Sequence, residues 1–407
     1  MLRVERKSLK VLLATHGALS QVSSGSRFIA NLQQGLQELG HRADVLSFQW
    51  RKGQLVLTLD GLEADPAPLA DAVSDHVSAA LAHTLPDVPP VVRRREVRRY
   101  AFELAASLLP LECYDILHAQ DVVAARALAR IGRRRVPVVA RFGGWTAEEV
   151  RRFGDRSAWR YASFEERMAA LSVQRVLVPS HWLRSVFTQH YGLPEEAVTV
   201  VYPGLMPADE PPPAPVPRAP GACVILCPAR LSPEKGHRHL LQALAILARR
   251  MRFTCLLAGS GPLHEPLRRM AARLRLGRRV TFLGDSHDIA SLVAAADVVV
   301  LPSLLEALPH AVMEAQSAGK AVLATNAGGI PEMVLHGETG FLVPPGDPAA
   351  LAAGLEQLLT DAYLRRRLGD RAAVWAQNRW DGRRTAREVA EVYAEVLHGY
   401  SRGGGVG

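Results

Sequence analysis

The chain has 407 residues, and 48% of them are hydrophobic, which is enough for two ordinary domains with substantial cores. No apolar run approaches the roughly 20 residues that cross a bilayer, and the four cysteines lack the paired spacing of a zinc site or a disulfide framework. Composition therefore argues against a membrane-spanning protein and against a disulfide-rich secreted one. It predicts a reduced, cytoplasmic protein.

The net charge of +9 comes almost wholly from arginine, because only five of the 49 basic residues are lysines. Arginines cluster at residues 93–95, 98–99 and 133–135, and such clusters suit an acidic acceptor or peripheral contact with the anionic inner face of a membrane. A solvated charged face is the alternative, and it is favoured. No aromatic residues interleave with the arginines as in single-strand binders, so nucleic acid is not an expected partner. The sequence leaves the oligomeric state open.

The first half of the chain has the pattern of a Rossmann-like unit. An apolar strand at residues 10–14 is followed by a helical period of apolar residues from Phe28 to Leu39 and by a second strand at 43–48. Residues 62–92 are proline-rich and poorly periodic, which predicts a long connection with a short helix. Further short strands are predicted at 116–118, 136–140, 176–178 and 198–202.

The second half repeats this alternation after a proline-rich stretch at residues 206–220, which is the clearest predicted linker. Helical patterns at 239–249 and 263–276 lie between apolar strand-like runs. Such an alternation predicts a second parallel, doubly wound domain. Its strands are predicted at 223–227, 253–257, 280–282, 298–301, 321–325 and 341–343.

Two cations follow the first strand of the second domain, in the sequence from Pro228 to Gly236. Arg230 and Lys235 are five positions apart, and Lys235 is one of the few lysines in an arginine-rich chain. Arginine grips two phosphate oxygens at once and lysine supplies a compact charge, so the pair suits a leaving diphosphate that gains negative charge. The alternative is a pair of exposed cations at a strand end.

The segment from Leu301 to Gly346 carries the strongest pattern. Glu306 and Glu314 are eight positions apart, Pro309 suits the first position of a helix, and Gly319 suits the position just past its end. Glu306 is then in the loop and Glu314 inside the helix, on either side of free backbone N–H groups that suit an anion. Such an arrangement fits a ligand with a diphosphate and hydroxyl-rich groups, such as a nucleotide-sugar. A surface loop and a helix with one solvated glutamate is the alternative.

Together these motifs resemble the retaining GT-B glycosyltransferases of family 4, the glycosyl transferases group 1 of the E-x7-E type. That family includes bacterial mannosyltransferases and sucrose-phosphate synthases. The resemblance implies an α/β GT-B fold of two Rossmann-like, doubly wound domains facing a cleft, with a C-terminal helix that crosses back to the first domain. The implied parts are an acceptor-side domain (1–205), the linker (206–220), a nucleotide-sugar donor domain (221–380), the crossing helix (381–400) and a disordered tail (401–407).

The resemblance also assigns donor-side roles by position. Glu306 contacts the donor sugar, Glu314 the ribose, and Arg230 and Lys235 the diphosphate. Glu306, Arg230 and Lys235 are therefore the expected catalytic residues. The expected donor-binding residues are Gly25, Ala307, Leu308, Pro309, His310, Glu314 and, near the nucleotide base, Gly284.

The acceptor side departs from the family. Ser26 follows Gly25 where many members have a second glycine, and His118 matches the first histidine of an H-x-H strand end whose second position is Gln120. Many relatives also carry a histidine near Gly143, which this chain lacks. Candidate acceptor-side residues are His16, Ser26, His118, Arg141 and Trp145, although a buried, hydrogen-bonded histidine is an equally good interpretation of His118.

The resemblance implies transfer of a hexosyl group from a nucleoside-diphosphate sugar to a hydroxyl acceptor, which is a glycan, a lipid or a small molecule. This is a hexosyltransferase activity of class EC 2.4. The sequence has no D-x-D triplet, so no metal or other cofactor is expected beyond the nucleotide-sugar co-substrate. The sequence does not distinguish UDP, GDP and ADP. The alternatives are a catalytically degenerate GT-B protein that binds a nucleotide-sugar or a partner, and a sugar-nucleotide epimerase.

Overall fold

The computed structural model describes residues 8–17, 19, 24–51, 54–59, 62–64, 67–84, 88–132, 135–207, 212–218, 220–285 and 288–403. The chain divides into two compact units. Unit 1 runs as far as Pro179 and also includes Leu183–Tyr202 and the chain from Gly382 onward. Unit 2 consists of Ser180–Trp182 and Pro203–Asp381. Each unit is organised around its own sheet.

Up to residue 202, strands and helices alternate as a doubly wound fold requires. The strands are β1 (Lys10–Thr15), β2 (Arg42–Arg51), β3 (Gln54–Leu59), β4 (Leu62–Ala64), β5 (Ile116–Ala119), β6 (Val138–Arg141), β7 (Arg175–Val178) and β8 (Val198–Val200). The helices are α1 (Ser24–Glu38), α2 (Ala67–Thr84), α3 (Pro90–Ser107), α4 (Val122–Ile131), α5 (Thr146–Phe153), α6 (Trp159–Leu171) and α7 (His181–Ser185). The described strands form one sheet in the order β4-β3-β2-β1-β5-β6-β7-β8, in which β3 and β4 pair antiparallel.

From residue 203 onward the same alternation builds unit 2 and then returns to unit 1. The strands are β9 (Cys223–Pro228), β10 (Phe253–Ala258), β11 (Val280–Gly284), β12 (Val298–Leu301), β13 (Ala321–Thr325) and β14 (Phe341–Val343). The helices are α8 (His237–Leu247), α9 (His264–Arg273), α10 (Ile289–Ala295), α11 (His310–Ser317), α12 (Pro348–Thr360), α13 (Ala362–Arg379) and α14 (Gly382–Gly403). The sheet order is β11-β10-β9-β12-β13-β14, and its strand pairings are parallel.

Helix α14 packs on unit 1, as predicted for the crossing helix. Its apolar stripe, which includes Val389 and Tyr393, is buried in one core with Phe28 and Leu32 of α1. The two helices approach closely at Gly35, where an added Cβ would lie 2.5 Å from the Cβ of Ala386. The fold prediction of two Rossmann-like units with a returning C-terminal helix is confirmed.

Two local predictions are wrong. Residues 62–92 hold the 18-residue helix α2 and the short strand β4, not a long connection with a short helix. The alanine-rich sequence of α2 favours a helix despite its weak apolar period. Helix α14 also runs three residues into the tail predicted to be disordered, because its apolar stripe continues to the half-buried Tyr400 and an existing helix extends at little cost. Residues 404–407 lie outside the described residues.

The predicted linker is described only in part, since residues 208–211 and 219 are outside the described ranges. Within residues 212–218 the chain runs along unit 2. The Ala214 N–H donates to the Ser291 carbonyl over 3.0 Å, and Arg218 forms an ion pair with Asp297. No helix in the described part of the chain is both long enough and apolar enough to cross a membrane.

One arginine cluster is part of the interior. The Arg99 side chain is 1% exposed and pairs with Glu96 over 2.7 Å and with Glu103 over 2.6 Å. Arg95 pairs with the buried Glu165 over 3.0 Å. The interpretation of residues 93–99 as a solvated charged face is therefore wrong for Arg99, since two carboxylates on its own helix supply the pairing that lets it be buried. Arg133 and Arg134 lie outside the described residues.

Candidate functional site

The donor-side candidates of unit 2 follow two neighbouring central strands. The chain passes from β9 outward to β10 and β11 and then returns to the other side of β9 as β12. This reversal of strand order opens a crevice at the carboxyl ends of β9 and β12, where open α/β sheets bind ligands. Arg230 and Lys235 lie in the segment after β9, and Glu306 lies in the loop after β12.

Lys235 and Glu306 are in direct contact. The Lys235 Nζ lies 2.5 Å from the Glu306 Oε1, and their side chains are only 19% and 14% exposed. The hydroxyl of Ser303 lies 3.4 Å from the same carboxylate oxygen. An ion pair so shielded from water is held more firmly than a surface pair. The structure thus joins two predicted site residues that are 71 positions apart in the sequence.

Arg230 is anchored differently. Its Nη2 donates to the Glu234 Oε1 over 2.8 Å, yet 60% of the Arg230 side chain is exposed. Burial raises the pKa of Glu234, but hydrogen bonds from Ser232 and Arg230 outweigh it and lower that pKa overall. Glu234 therefore stays ionised and orients Arg230 while most of the guanidinium stays accessible to an anion.

Glycines allow the loops to approach each other closely. Gly236 has a φ of +69°, and a Cβ there would lie 1.9 Å from the Pro302 carbonyl oxygen. Gly259 would bring a Cβ to 2.3 Å from the carbonyl oxygen of Ala229, next to Arg230. The Gly259 turn therefore packs directly against the Arg230 loop.

Helix α11 has the predicted form with a shift of one residue. Pro309 is the N-cap and not the first helical residue, and Gly319 follows the helix end with a φ of +64°. Glu314 is the fifth residue of the helix, a little over one turn from its start. Ala307, Leu308, Pro309 and His310 are buried, and Gly284 ends β11 with a φ of +69°. Their donor-binding roles stay predictions.

Sequence reasoning missed His237, the first residue of α8. It is almost fully buried, and neither ring nitrogen has a hydrogen-bond partner in the described part of the chain. Burial, together with the neighbouring charge of Lys235, lowers the pKa of His237 to about 4, so the ring is neutral at pH 7. A histidine one position after a glycine gives no signal of its burial, since only the fold encloses it.

The acceptor-side candidates of unit 1 gather at the carboxyl ends of β1, β5 and β6, which are neighbours in the sheet. Thr15 ends β1, Arg141 ends β6 and Gln120 directly follows β5, so the three residues lie at the same edge of the sheet. Gly25 and Ser26 belong to the first turn of α1. Within the described residues, an added Cβ at Gly25 would meet nothing within 4 Å.

His118 is buried and hydrogen-bonded. Its Nδ1 lies 2.5 Å from the Tyr393 hydroxyl on α14, and the residue is completely buried. Burial, aided by the charge of Arg141, lowers the pKa of His118 to about 3. A neutral ring fixed by Tyr393 fits the hydrogen-bonded interpretation of this residue.

The Arg141 side chain is enclosed without a counter-ion. Its residue is 5% exposed, its guanidinium carbon lies 3.8 Å from the ring centroid of Phe28, and no carboxylate in the described residues pairs with it. A Cβ on Gly143 would lie 3.2 Å from the Arg141 Nη1. The guanidinium therefore lies beside Gly143, near the position where many members of the family carry a histidine.

Two hydrogen-bonding groups hold the loops around these candidates. The Asp121 carboxylate caps α4 at Ala124 and also accepts hydrogen bonds from the His16 N–H over 2.7 Å and from the Thr15 hydroxyl over 3.0 Å. Burial lowers the pKa of His16, although Asp121 opposes this effect. An aspartate before an apolar helical run is a recognisable N-cap signal, so Asp121 was within reach of sequence reasoning.

Trp145 is held by a second chain of contacts. Its Nε1 donates to the Tyr191 hydroxyl over 3.1 Å, and Tyr191 donates to the buried Glu166 over 2.8 Å. Nothing in the local sequence marks Glu166 or Tyr191, because their pairing depends on the packing of separate elements. Among the residues that the structure describes, no group of three or more His, Cys, Asp or Glu side chains could hold a metal ion.

Solved structures share this architecture across almost the whole chain. Sucrose-phosphate synthase from Thermosynechococcus elongatus superimposes with a TM-score of 0.75 at 17% identity, covering 96% of this chain and 100% of that one. The Anabaena protein HepE, solved with UDP-glucose, gives a TM-score of 0.68 at 21% identity over 95% of this chain and 99% of that one. Two Rossmann-like units and these likenesses define the GT-B fold.

Sequence comparison then assigns the family. Residues 25–208 match the family described as Glycosyltransferase Family 4, and residues 214–375 match Glycosyl transferases group 1. Glycogen synthase from Mycobacterium tuberculosis strain H37Rv is 30% identical over 295 residues, which cover 70% of each protein. The chain belongs to the group 1 glycosyltransferases.

Other relatives match over a shorter stretch. D-inositol 3-phosphate glycosyltransferase from Streptomyces bingchenggensis is 36% identical over 237 residues, 53% of this chain and 51% of that protein. N-acetyl-alpha-D-glucosaminyl L-malate synthase from Bacillus anthracis is 31% identical over 163 residues, 40% of this chain and 43% of that protein. The chain thus spans about half the length of these two relatives.

Proposed function

We propose that this protein is a metal-independent, retaining glycosyltransferase that moves a hexosyl group from a nucleoside-diphosphate sugar to a hydroxyl acceptor. The observation that carries the proposal is the shielded contact between Lys235 and Glu306 at the switch point of the unit 2 sheet, with Arg230 in the same segment after β9. A site with two cations and a carboxylate suits a ligand that joins a diphosphate to a hydroxyl-bearing sugar.

Each of these side chains has a distinct task in the proposed reaction. Arg230 and Lys235 stabilise the negative charge that develops on the leaving diphosphate, the role that a metal ion has in other enzymes. Glu306 holds Lys235 in place and orients the donor sugar through its hydroxyls. The leaving phosphate oxygen takes the acceptor proton on the same face of the sugar, so no strong protein base is needed and the anomeric configuration is retained.

The relatives support the class of reaction. Their names include glycogen synthase and D-inositol 3-phosphate glycosyltransferase, and HepE was solved with UDP and with UDP-glucose. A nucleoside-diphosphate hexose is therefore the proposed donor class for this chain. The names of these relatives point to different acceptors and therefore do not indicate one acceptor for this chain. The acceptor class has to be inferred from the residues of unit 1.

The first test is a donor screen. Calorimetry with UDP, GDP and ADP, followed by hydrolysis and transfer assays with their sugar conjugates, identifies the nucleotide and the sugar. Unchanged turnover after EDTA treatment is the expected result for a metal-independent enzyme. Absence of donor binding, donor hydrolysis and transfer across the whole panel would overturn the proposed function.

Variants then test the assigned groups. Lys235→Met and Glu306→Gln are each expected to lower kcat at least 100-fold, in the range found for lost transition-state electrostatics. Arg250→Met is the matched control, because Arg250 also forms an ion pair in unit 2, with Glu356 over 2.7 Å, but at an exposed surface. That variant should stay within about two-fold of wild type, as exposed pairs contribute little. Equal activity of the Lys235 and Arg250 variants would contradict the assignment.

A catalytically degenerate nucleotide-binding protein is the second candidate. One observation favours this candidate: the chain has a glycine at position 143, near which many members of the family carry a histidine. Nucleotide binding that persists with no turnover in any assay would support this candidate over the transferase.

A further inference from the structure

Unit 1 holds a buried positive charge that nothing in the described residues neutralises. The Arg141 guanidinium has no ion-pair or hydrogen-bond partner there, and its central carbon lies 3.8 Å from the ring centroid of Phe28. Burial lowers the pKa of Arg141 to about 10, and no nearby charge contributes to that shift, so the group is still protonated at pH 7. An enclosed charge without a counter-ion is costly, and proteins rarely keep one unless a ligand pairs with it.

A second polar group beside Arg141 also lacks a partner. Gln120 is 8% exposed, and neither its amide nitrogen nor its carbonyl oxygen forms a hydrogen bond within the described residues. Gln120 directly follows β5 and Arg141 ends β6, two neighbouring strands whose last paired residues are Ala119 and Ala140. A buried amide without hydrogen bonds has an energetic cost of its own. Two polar side chains without partners, at the ends of neighbouring strands, point to one ligand that both would bind.

The surroundings favour an anion. Phe28 is the fifth residue of α1, so the guanidinium lies near the N-terminal end of that helix, where backbone N–H groups favour negative charge. His118, the nearest buried titratable group along β5, is neutral at pH 7 because burial lowers its pKa to about 3. Arg141 can offer two parallel N–H groups and Gln120 one more, a donor set that matches phosphate or carboxylate oxygens.

We propose that Arg141 and Gln120 recognise an anionic group, a phosphate or a carboxylate, carried by the acceptor. This inference rests on the proposed glycosyl transfer. The donor's diphosphate already has Arg230 and Lys235 in unit 2, so a third cation in unit 1 serves a different anion. Gly143 completes the arrangement, because a Cβ there would lie 3.2 Å from the Arg141 Nη1 and crowd the guanidinium.

The specificity test compares acceptors that differ only in a phosphate. Rates with glucose and glucose 6-phosphate, and with glycerol and glycerol 3-phosphate, are measured with the same donor for wild type, Arg141→Met, Arg141→Lys and Gln120→Met. Wild type should favour the phosphorylated member of a pair in kcat/KM, and Arg141→Met should lower that preference about 100-fold. Arg141→Lys, which keeps the charge but not the paired donors, and Gln120→Met should give smaller losses.

The ratio of kcat/KM for the phosphorylated and unphosphorylated acceptors shows whether the anion that Arg141 binds belongs to the acceptor or to the donor. If Arg141 contacted the donor's diphosphate instead, the rates with both acceptors would fall by the same factor and the preference would not change. That result overturns the proposal, as does a wild-type enzyme that uses both members of each pair equally well.

A phosphate-binding experiment tests the inference even if no glycosyl transfer is detected. Inorganic phosphate is titrated in thermal-shift experiments in a Lys235→Ala background, which weakens phosphate binding on the donor side. A phosphate-dependent rise in the unfolding temperature that is lost in Lys235→Ala/Arg141→Met supports the anion site even if the transferase proposal fails. An identical rise with and without Arg141 overturns it.

Discussion

Two adjacent glycines fix the backbone of the proposed donor carboxylate. Gly328 has a φ of +58°, and a Cβ there would lie 1.8 Å from the carbonyl oxygen of Glu306. A Cβ on Gly329 would lie 1.8 Å from the carbonyl oxygen of Ala307, and the Gly329 N–H donates to the Glu306 carbonyl over 3.0 Å. The loop that contains Gly328 and Gly329 therefore packs directly against the backbone of the loop that contains Glu306.

This packing predicts a large effect of Gly328→Ala. The new methyl group cannot fit without displacing the Glu306 loop, so both stability and transfer should fall, the latter at least 10-fold. Gly337→Ala is the matched control, because Gly337 also has a positive φ of +79° but an added Cβ there meets nothing within 4 Å. It should cost only about 1 kcal/mol of unfolding free energy, from the backbone conformation alone. Chemical unfolding and transfer rates measure both effects, and equal behaviour of the two variants would refute the argument.

Helix α5 begins against a carboxylate from another element. Glu166 of α6 accepts hydrogen bonds from the N–H groups of Thr146 and Ala147, each over 3.1 Å, and from Tyr191 over 2.8 Å. Trp145 is the N-cap residue and supplies no side-chain cap itself. Glu166 thus determines where the helix after the Gly143 loop starts, and through Tyr191 it also fixes the Trp145 ring.

This cap predicts a pH dependence of stability. Burial raises the pKa of Glu166 from 4.5 to about 7, although its three hydrogen bonds and Arg95 oppose the shift. Between these values the folded protein holds a proton that the unfolded chain has released, so the contribution of Glu166 is greatest below pH 4.5 and is lost as pH rises through 7. From pH 5 to pH 8, wild type should lose up to about 3 kcal/mol relative to Glu166→Gln. Unfolding midpoints of the two proteins measure this difference, and a difference that does not change with pH would contradict it.

Sequence predicted the elements whose pattern is local. The buried strand β12 reads as an unbroken β-branched run, and α11 carries a proline and a glycine at its two ends, so both were found within one or two residues. Helix α2 and strand β3 were missed, because α2 has high intrinsic helix propensity without a clear apolar period and β3 pairs antiparallel at the side of a parallel sheet. Propensity and edge pairing are weaker signals than periodicity.

At the scale of the molecule, the repeated strand–helix alternation was enough to predict two doubly wound units. The candidate site was predictable only for residues that belong to a recognisable sequence motif, such as Lys235 and Glu306. The unpaired state of Arg141 and the cap formed by Glu166 depend on which groups the fold encloses together. Burial and pairing across distant segments are tertiary properties that one sequence does not display.

The return of the chain to unit 1 leads to the last prediction. Helix α14 buries Val389, Val392, Tyr393 and Val396 against unit 1, and at about 2 kcal/mol for each such side chain their burial contributes roughly 8 kcal/mol. That is comparable to the whole stability of a domain. A chain ending at Asp381 should therefore lose the fold of unit 1 and aggregate, since Phe28 and other core residues of α1 become exposed.

A chain ending at Gly399 is the control, because it keeps the buried apolar stripe of α14 as far as Val396. It should remain monodisperse in size-exclusion chromatography and retain slow hydrogen exchange in β1 and β5. The chain ending at Asp381 should lose that protection in unit 1 while the strands of unit 2, whose main core cluster spans residues 225–368, keep theirs. Native-like protection of β1 in the shorter chain would mean that unit 1 folds without its returning helix, and that α14 is an accessory and not part of the core.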